Sequence, residues 1–358
     1  MSDPQRFQGI TLNRRQFLEI SLGGIGLAGI AIGAQRFLPL RAASPVSIPP
    51  LPGGLPNQGN GVNPMLACRD FDYGTLKQES GRTVREFQIT AGITELELNR
   101  VVRFPAWTYN GRVPGPTLRA KEGDRVRVIF HNHGGHAHTM HFHGIHPSGM
   151  DGVEPVRNND STVYEFDALP YGLHLYHCHI APVTRHISKG LYGAFIVDPK
   201  KERPPADEIL MVMTGYEIVI DDKPHKLYGF NGLPNYFKQH PLPIYQNQLI
   251  RLYLINVIEF EPAVTFHLHA NFFQVYPTGM TLRPTHETDV ITMGTAERHI
   301  LEFMYPFSGQ YMFHPHQDEI AEKGCMGLFN VLEGGADYSN SKSFVKSAKS
   351  GIVAGKRL

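Results

Sequence analysis

Two stretches of this chain carry the same landmarks in the same order, and that repetition limits the fold more than any other feature. Residues 84–199 and 209–335 each contain short runs rich in Val, Ile, Phe and Tyr separated by turn residues. Examples are DRVRVIFHN, STVYEFDA and GAFIVDP in the first stretch, and QLIRLYLINVI, RHILEFMY and GCMGLFNVLE in the second. Each stretch holds one HxH segment, then a second, then a Gly-x-x-Gly segment and a closing apolar run. The two Gly-x-x-Gly segments are Gly190-Leu191-Tyr192-Gly193 and Gly324-Cys325-Met326-Gly327. Short apolar runs punctuated by Pro and Gly predict strands, and no stretch shows a helical period beyond about two turns. The expected fold is all-β: two Greek-key β-sandwich domains produced by internal duplication.

A length of 358 residues suits two domains of ordinary size. The charged, proline-bearing stretch 200–208 reads as the linker between them. Residues 44–83 read as a flexible N-terminal extension and the Ser/Lys-rich residues 336–358 as a loose tail. The net charge of +1 gives no reason to expect a nucleic-acid partner.

Arg14-Arg15 precede Phe17-Leu18 and a weakly apolar run from Ile20 to Ala34, which resembles a twin-arginine export signal over residues 1–43. That run is short against the roughly 20 residues a spanning helix needs, and five glycines weaken it. The expectation is export to the periplasm or beyond, with no stable membrane span.

The 19 histidines are the unusual count in the composition. Eight of them form four HxH pairs: His141/His143, His177/His179, His267/His269 and His314/His316. Residues i and i+2 of a strand share a face, so each pair aims two imidazoles at one place. A single HxH is weak evidence, but four pairs at matching places in a duplication are hard to explain by packing, because buried imidazole needs partners. Neutral imidazole is a good ligand for copper and zinc, so a shared metal cluster is expected.

Cys178 lies between His177 and His179 and points to the opposite face, so one segment can serve two metal sites. His138 alternates away from His141 and His143 towards the side that Cys178 uses, and His186 follows the cysteine. His138, Cys178 and His186 therefore form a candidate His2Cys site of the blue-copper, electron-transfer type, with His136 as a reserve ligand. Leu191 falls where such sites often carry a weak axial methionine, and leucine cannot ligate. The second half lacks this site: Val264 stands where His138 does, Pro315 where Cys178 does, and Cys325 aligns with Leu191. Cys68 and Cys325 read as buried thiols, with a disulfide between them as the alternative.

HTMHFHG, YHCH followed by HISKGL, FHLHA, and NGRVPGPTLRAKEGDRVRV together resemble the multicopper oxidases. More narrowly, residues 84–334 are similar to the two-domain form, built of cupredoxin-like domains, whose type 1 copper lies in the first. The resemblance implies four coppers per chain. His138, Cys178 and His186 would hold the type 1 copper, with Leu191 axial and non-ligating. His141 and His267 would hold the type 2 copper, and His143, His177, His179, His269, His314 and His316 the type 3 pair. It further implies a homotrimer with the cluster between domain 1 of one chain and domain 2 of the next. The reaction would couple one-electron oxidation of a small reducing substrate or metal ion to reduction of O2 to water. Asp151 resembles the acid that follows the first HxHG in this family, and Asp318 and Glu319, just after His316, are second candidates for proton transfer.

The rivals are a copper nitrite reductase, whose family carries an aspartate where His141 stands, and a non-enzymatic copper electron-transfer protein, which has no need of eight further ligands. A zinc hydrolase would not explain Cys178 beside His138 and His186. His174 reads as structural, His146, His225, His240, His286 and His299 fit no pattern, and Trp107 and Tyr109 read as packing residues. The 11 methionines are scattered, without the rich segment that often accompanies cuprous oxidation, so a small phenol is the default donor.

Overall fold

A computed structural model describes residues 63–220 and 222–334. The export signal expected over 1–43 and the tail over 336–358 lie outside the described residues. No helix among those described is long and apolar enough to cross a membrane.

The first domain packs two sheets. One runs in the order Phe71–Asp72, Thr117–Lys121, Tyr192–Asp198, Gly172–His177, His141–Phe142. The other runs Thr75–Glu79, Arg82–Glu97, Arg125–Asn132, Ser161–Asp167, with Arg103–Tyr109 paired to Arg82–Glu97. The strand Arg125–Asn132 shows why these residues form a sandwich. Val126, Val128, Phe130 and Asn132 are buried and the residues between them are not, so one face meets the core.

The second domain repeats the plan. One sheet runs Lys223–Phe230, Asp207–Ile220, Ile250–Asn256, Arg298–Phe303, Phe273–Pro277, His286–Thr288. The other runs Leu242–Tyr245, Gly327–Leu332, Gly309–His314, Ala263–Leu268, Val290–Gly294. The duplication extends to register. His141 pairs with His177 in the first domain, and His267 with His314 in the second.

The lead-in expected to be flexible over 44–83 is folded in its second part. A one-turn helix, Pro64–Ala67, is capped by the Asn63 side chain, which accepts from the Met65 N–H at 2.8 Å. Phe71–Asp72 joins a sheet beside Thr117–Lys121, and Thr75–Glu79 forms a hairpin with Arg82–Glu97. Arg69 clamps this arm to the second domain through two bonds to the Asp207 carboxylate, at 2.8 and 2.7 Å. The Pro/Gly/Asn-rich run over 44–66 suggested a loose segment; long-range arginine pairing fixes its continuation. The linker is likewise shorter than 200–208, because Asp207 and Glu208 open the strand Asp207–Ile220.

The domains are joined by buried polar and aromatic contacts. Arg119 reaches Asp198 in its own domain and Glu208 in the other, four bonds of 2.7–3.0 Å. Glu208 also accepts from the Tyr253 hydroxyl and from Arg251, which pairs with Glu302 at 2.7 Å. The Leu173 N–H donates to the Thr278 carbonyl at 2.8 Å, and Phe104 packs edge-on against Tyr216. Removing one member of so enclosed a network strands the others. Arg119→Met should therefore lower stability by about 3 kcal/mol in denaturant titration; an unchanged midpoint would show that the network contributes nothing net.

Candidate metal centres

The strand Gly172–His177 ends at the first histidine of the second HxH pair, but its ladder continues for one more bond. The Cys178 N–H donates to the Leu191 carbonyl at 3.1 Å. Alternation therefore persists: Cys178 turns into the domain core while His177 and His179 face the other way.

On the core side, His138, Cys178 and His186 converge, all three buried. The Cys178 Sγ lies 3.1 Å from His186 Nδ1 and 3.9 Å from His138 Nδ1, and the two Nδ1 atoms are 3.3 Å apart. The Thr139 N–H points at the sulfur at 3.4 Å. Gly134 lets the chain pass close, since a Cβ there would come within 2.4 Å of the His138 ring. Burial is the largest cause pushing both imidazoles down to about 4, and it raises the Cys178 thiol. Leu191 is fully buried in the same apolar cluster as Cys178. His136 is exposed and its ring is 6.4 Å from that of His138, outside the ligand group.

On the other side, His141, His143 and His177 offer ligand atoms within 4.8 Å of one another, and the His179 ring lies 4.7 Å from that of His141. The Nδ1 atoms of His141, His177, His267 and His314 face the carbonyls of Asp151, Cys178, Asp289 and Pro315 at 2.9, 2.8, 2.8 and 2.7 Å. A carbonyl only accepts, so these four imidazoles carry their proton on Nδ1 and present Nε2 as the ligand atom. His138 and His186 do the opposite, presenting Nδ1 to the Cys178 sulfur.

His143 and His177 oppose Nε2 to Nε2 at 2.8 Å, and His269 and His314 do so at 3.0 Å. With the proton of His177 and of His314 on Nδ1, each Nε2 accepts from the facing imidazole and offers its lone pair to a cation that displaces that proton. The buried His179 Nδ1 has no hydrogen-bond partner among the described residues. Thiolate plus imidazoles on one side and imidazoles alone on the other suit copper.

The eight histidines gather as two quartets. Every ring contact found among them stays within His141, His143, His177 and His179, or within His267, His269, His314 and His316. In the second quartet His269 and His316 are exposed.

The Asp151 carboxylate is 3.0 Å from His141 Nδ1 and 3.3 Å from His146 Nε2. Asp318 and Glu319 are the exposed first residues of the short helix Asp318–Glu322, whose Ile320 and Ala321 are buried; burial lowers the His314 pKa, which Asp318 opposes only weakly, while Glu319 pairs with Lys323 at 2.6 Å. His174 holds the His143 and Pro170 carbonyls, each at 3.0 Å, in keeping with a structural role. Sequence reasoning passed over two residues. His146 shares the Asp151 carboxylate, and Asp289 holds His267 through its carbonyl, with its carboxylate 3.7 Å away. The five-residue turn from His146 to Asp151 was a weak available signal; Asp289 had none, being 22 residues from His267.

The vacated site of the second domain is closed by apolar packing. Gly190 and Gly324 share φ of +117° and +118°, and Leu191 and Cys325 donate to His186 and Ile320 carbonyls at the same 3.2 Å. Ile320 is thus the counterpart of His186, beside buried Val264 and Cys325. All three cysteines are free, so Cys68 and Cys325 form no disulfide.

Two multicopper oxidase family models match the chain in succession, over residues 91–202 and 202–335. A solved structure described as a multicopper oxidase is 48% identical, covering 76% of this chain and 98% of its own, with a TM-score of 0.74. The chain belongs to the multicopper oxidase family. Curated relatives include a copper-containing nitrite reductase of Neisseria meningitidis serogroup A, 34% identical over 34% of this chain and 32% of its own length. Another is a laccase of Ustilaginoidea virens, 40% identical over 26% of this chain and 15% of its own length. The matches to these curated relatives thus span a third or less of their length.

The buried histidines set an acid limit on the metal-free fold. Burial is the largest cause holding His138, His177 and His186 at about 4 and His143 at about 3, against 6.5 when unfolded. Between those values the unfolded chain binds protons that the folded chain refuses, so stability is full above pH 6.5 and falls as the pH drops towards 4. Thermal melts of metal-free protein from pH 7.5 to 4.5 should show a progressive fall beginning near 6.5, and a flat profile would contradict the burial.

Proposed function

We propose that this multicopper oxidase removes single electrons from a small reducing donor at a type 1 site and delivers four of them to O2, forming two waters at a three-copper cluster. The observation that carries this reading is the matched register of the two histidine quartets, His141 opposite His177 and His267 opposite His314. An electron carrier has no use for them. A nitrite reductase would carry an aspartate at residue 141, where this chain has a histidine fixed by Asp151.

The two imidazole classes set His138, Cys178 and His186 apart as the type 1 ligands; the likeness to two-domain multicopper oxidases then implies His141 and His267 for type 2 and the other six histidines for the type 3 pair. Copper held there would supply the one-electron exchange and the affinity for O2. The protein supplies the connection. Cys178 presents its sulfur to one site while its peptide neighbours His177 and His179 face the other, so a few covalent bonds join them. Asp151, half in solvent and touching both His141 and His146, can pass protons inwards.

Each quartet offers half a cluster, and the exposed His269 and His316 favour completion by another copy of the chain. A head-to-tail ring of three copies closes that arrangement without leaving an unpaired quartet. The twin-arginine-like leader supports export to the periplasm or beyond.

Copper per chain by elemental mass spectrometry of fully loaded protein tests the reading. About four is expected; about two would move the assignment to nitrite reduction, and about one would leave only the type 1 site. In a separate test, Leu191→Met should lower the type 1 reduction potential by restoring an axial donor. An unchanged potential in redox titration would show that Leu191 does not stand at the axial position.

A further inference from the structure

The first histidine quartet stands beside the boundary between the two domains. Along the strand Gly172–His177, Leu173 and Leu175 share a face with His177, and both leucines are buried in the apolar cluster that joins the domains. Tyr176 and Cys178 point the other way, into the core of the first domain.

The second domain reaches this strand through one turn and one side chain. The Leu173 N–H donates to the Thr278 carbonyl at 2.8 Å, and the Leu173 carbonyl accepts from Arg298 Nε at 2.8 Å. Turn and side chain are tied together, since the Thr278 N–H donates to the Arg298 carbonyl at 3.0 Å. From Leu173 the path to a copper ligand is short. The next residue, His174, holds the His143 carbonyl through Nδ1 at 3.0 Å, and the His143 N–H donates to the Leu175 carbonyl at 2.8 Å.

Arg298 also brings a charge without a counter-ion. Its other hydrogen bond runs from Nη1 to the Ala296 carbonyl at 3.4 Å, so its partners are carbonyls. The adjacent Glu297 turns its carboxylate to the Gly294 N–H at 2.6 Å, and Glu302 on the same strand pairs with Arg251. Burial is the one cause acting on the Arg298 pKa, and a guanidinium keeps its proton regardless. The charge is felt at His143 and His174, where it disfavours protonation. The charges acting on His138 and His186 are those of other imidazoles and of Arg185. Each electron that reaches copper held by the quartet lowers the positive charge there by one, and a fixed cation nearby favours that change.

We propose that Arg298 is a positioning residue for the cluster: it fixes His143 from across the domain boundary, and its uncompensated charge raises the reduction potential of copper bound by the first quartet. This rests on the oxidase reading above.

The test is a redox titration of the fully copper-loaded protein that follows the type 1 band and the cluster separately, beside copper per chain. Arg298→Gln keeps a donor for the Leu173 carbonyl and removes the charge, whereas Arg298→Lys keeps the charge. Arg298→Gln should make reduction of the cluster up to about tenfold less favourable, a fall of about 59 mV for a one-electron couple, with the type 1 potential and the copper count unchanged. Arg298→Lys should hold the cluster potential of the parent. An unchanged cluster potential in copper-loaded Arg298→Gln would overturn the proposal, as would an equal fall in Arg298→Lys. Should Arg298→Gln fail to load the cluster, Arg298→Lys decides: loading at the parent potential upholds the role of the charge, and failure of both variants overturns it and leaves Arg298 a brace of the fold. Parent protein that binds about two coppers, or one, would overturn the oxidase reading itself.

Discussion

Strand alternation at His177-Cys178-His179 is the constraint on which the rest of this molecule depends. A pleated backbone sends successive side chains to opposite faces, so a single peptide segment holds a cysteine sulfur in the core of the first domain and two imidazoles at its outer end. The backbone bond from Cys178 to Leu191 keeps that alternation past the formal end of the strand. Any slip of one residue would send the sulfur outwards and the imidazoles into the apolar core. The sandwich thus serves as the frame that fixes one register.

Two kinds of histidine result. Those beside the sulfur turn Nδ1 inwards and are buried on all sides. Two in each quartet, His141 and His177 in one and His267 and His314 in the other, are held by backbone carbonyls on Nδ1 and offer Nε2, the same device repeated in both domains at nearly equal distances. Duplication explains why the geometry recurs. The repetition is incomplete: Val264, Pro315, Ile320 and Cys325 stand where His138, Cys178, His186 and Leu191 stand in the other domain, and the second domain fills that place with apolar side chains.

Much of this was legible because it is local. The HxH spacing, the cysteine between two histidines and the repeated Gly-x-x-Gly segment are short-range patterns with one structural meaning on a strand. The ordered arm at 64–79 was not legible. Its polar residues look like linker until Arg69 is seen to meet Asp207, 138 positions away. Trp107 read as an ordinary packing residue, and in part it is one; its position against three imidazoles depends on a strand, a loop and a helix arriving together.

The sequence by itself determined the all-β duplication, the His2Cys set and the two histidine quartets, because period-2 patterning specifies which side chains share a face. The tertiary structure decided which ring nitrogen His141, His177, His267 and His314 present, that Asp289 and His146 support the quartets, and that the Trp107 indole packs against His138 and His186. Those features depend on carbonyls, carboxylates and guanidinium groups from distant segments meeting in space. No spacing within a strand encodes such a meeting.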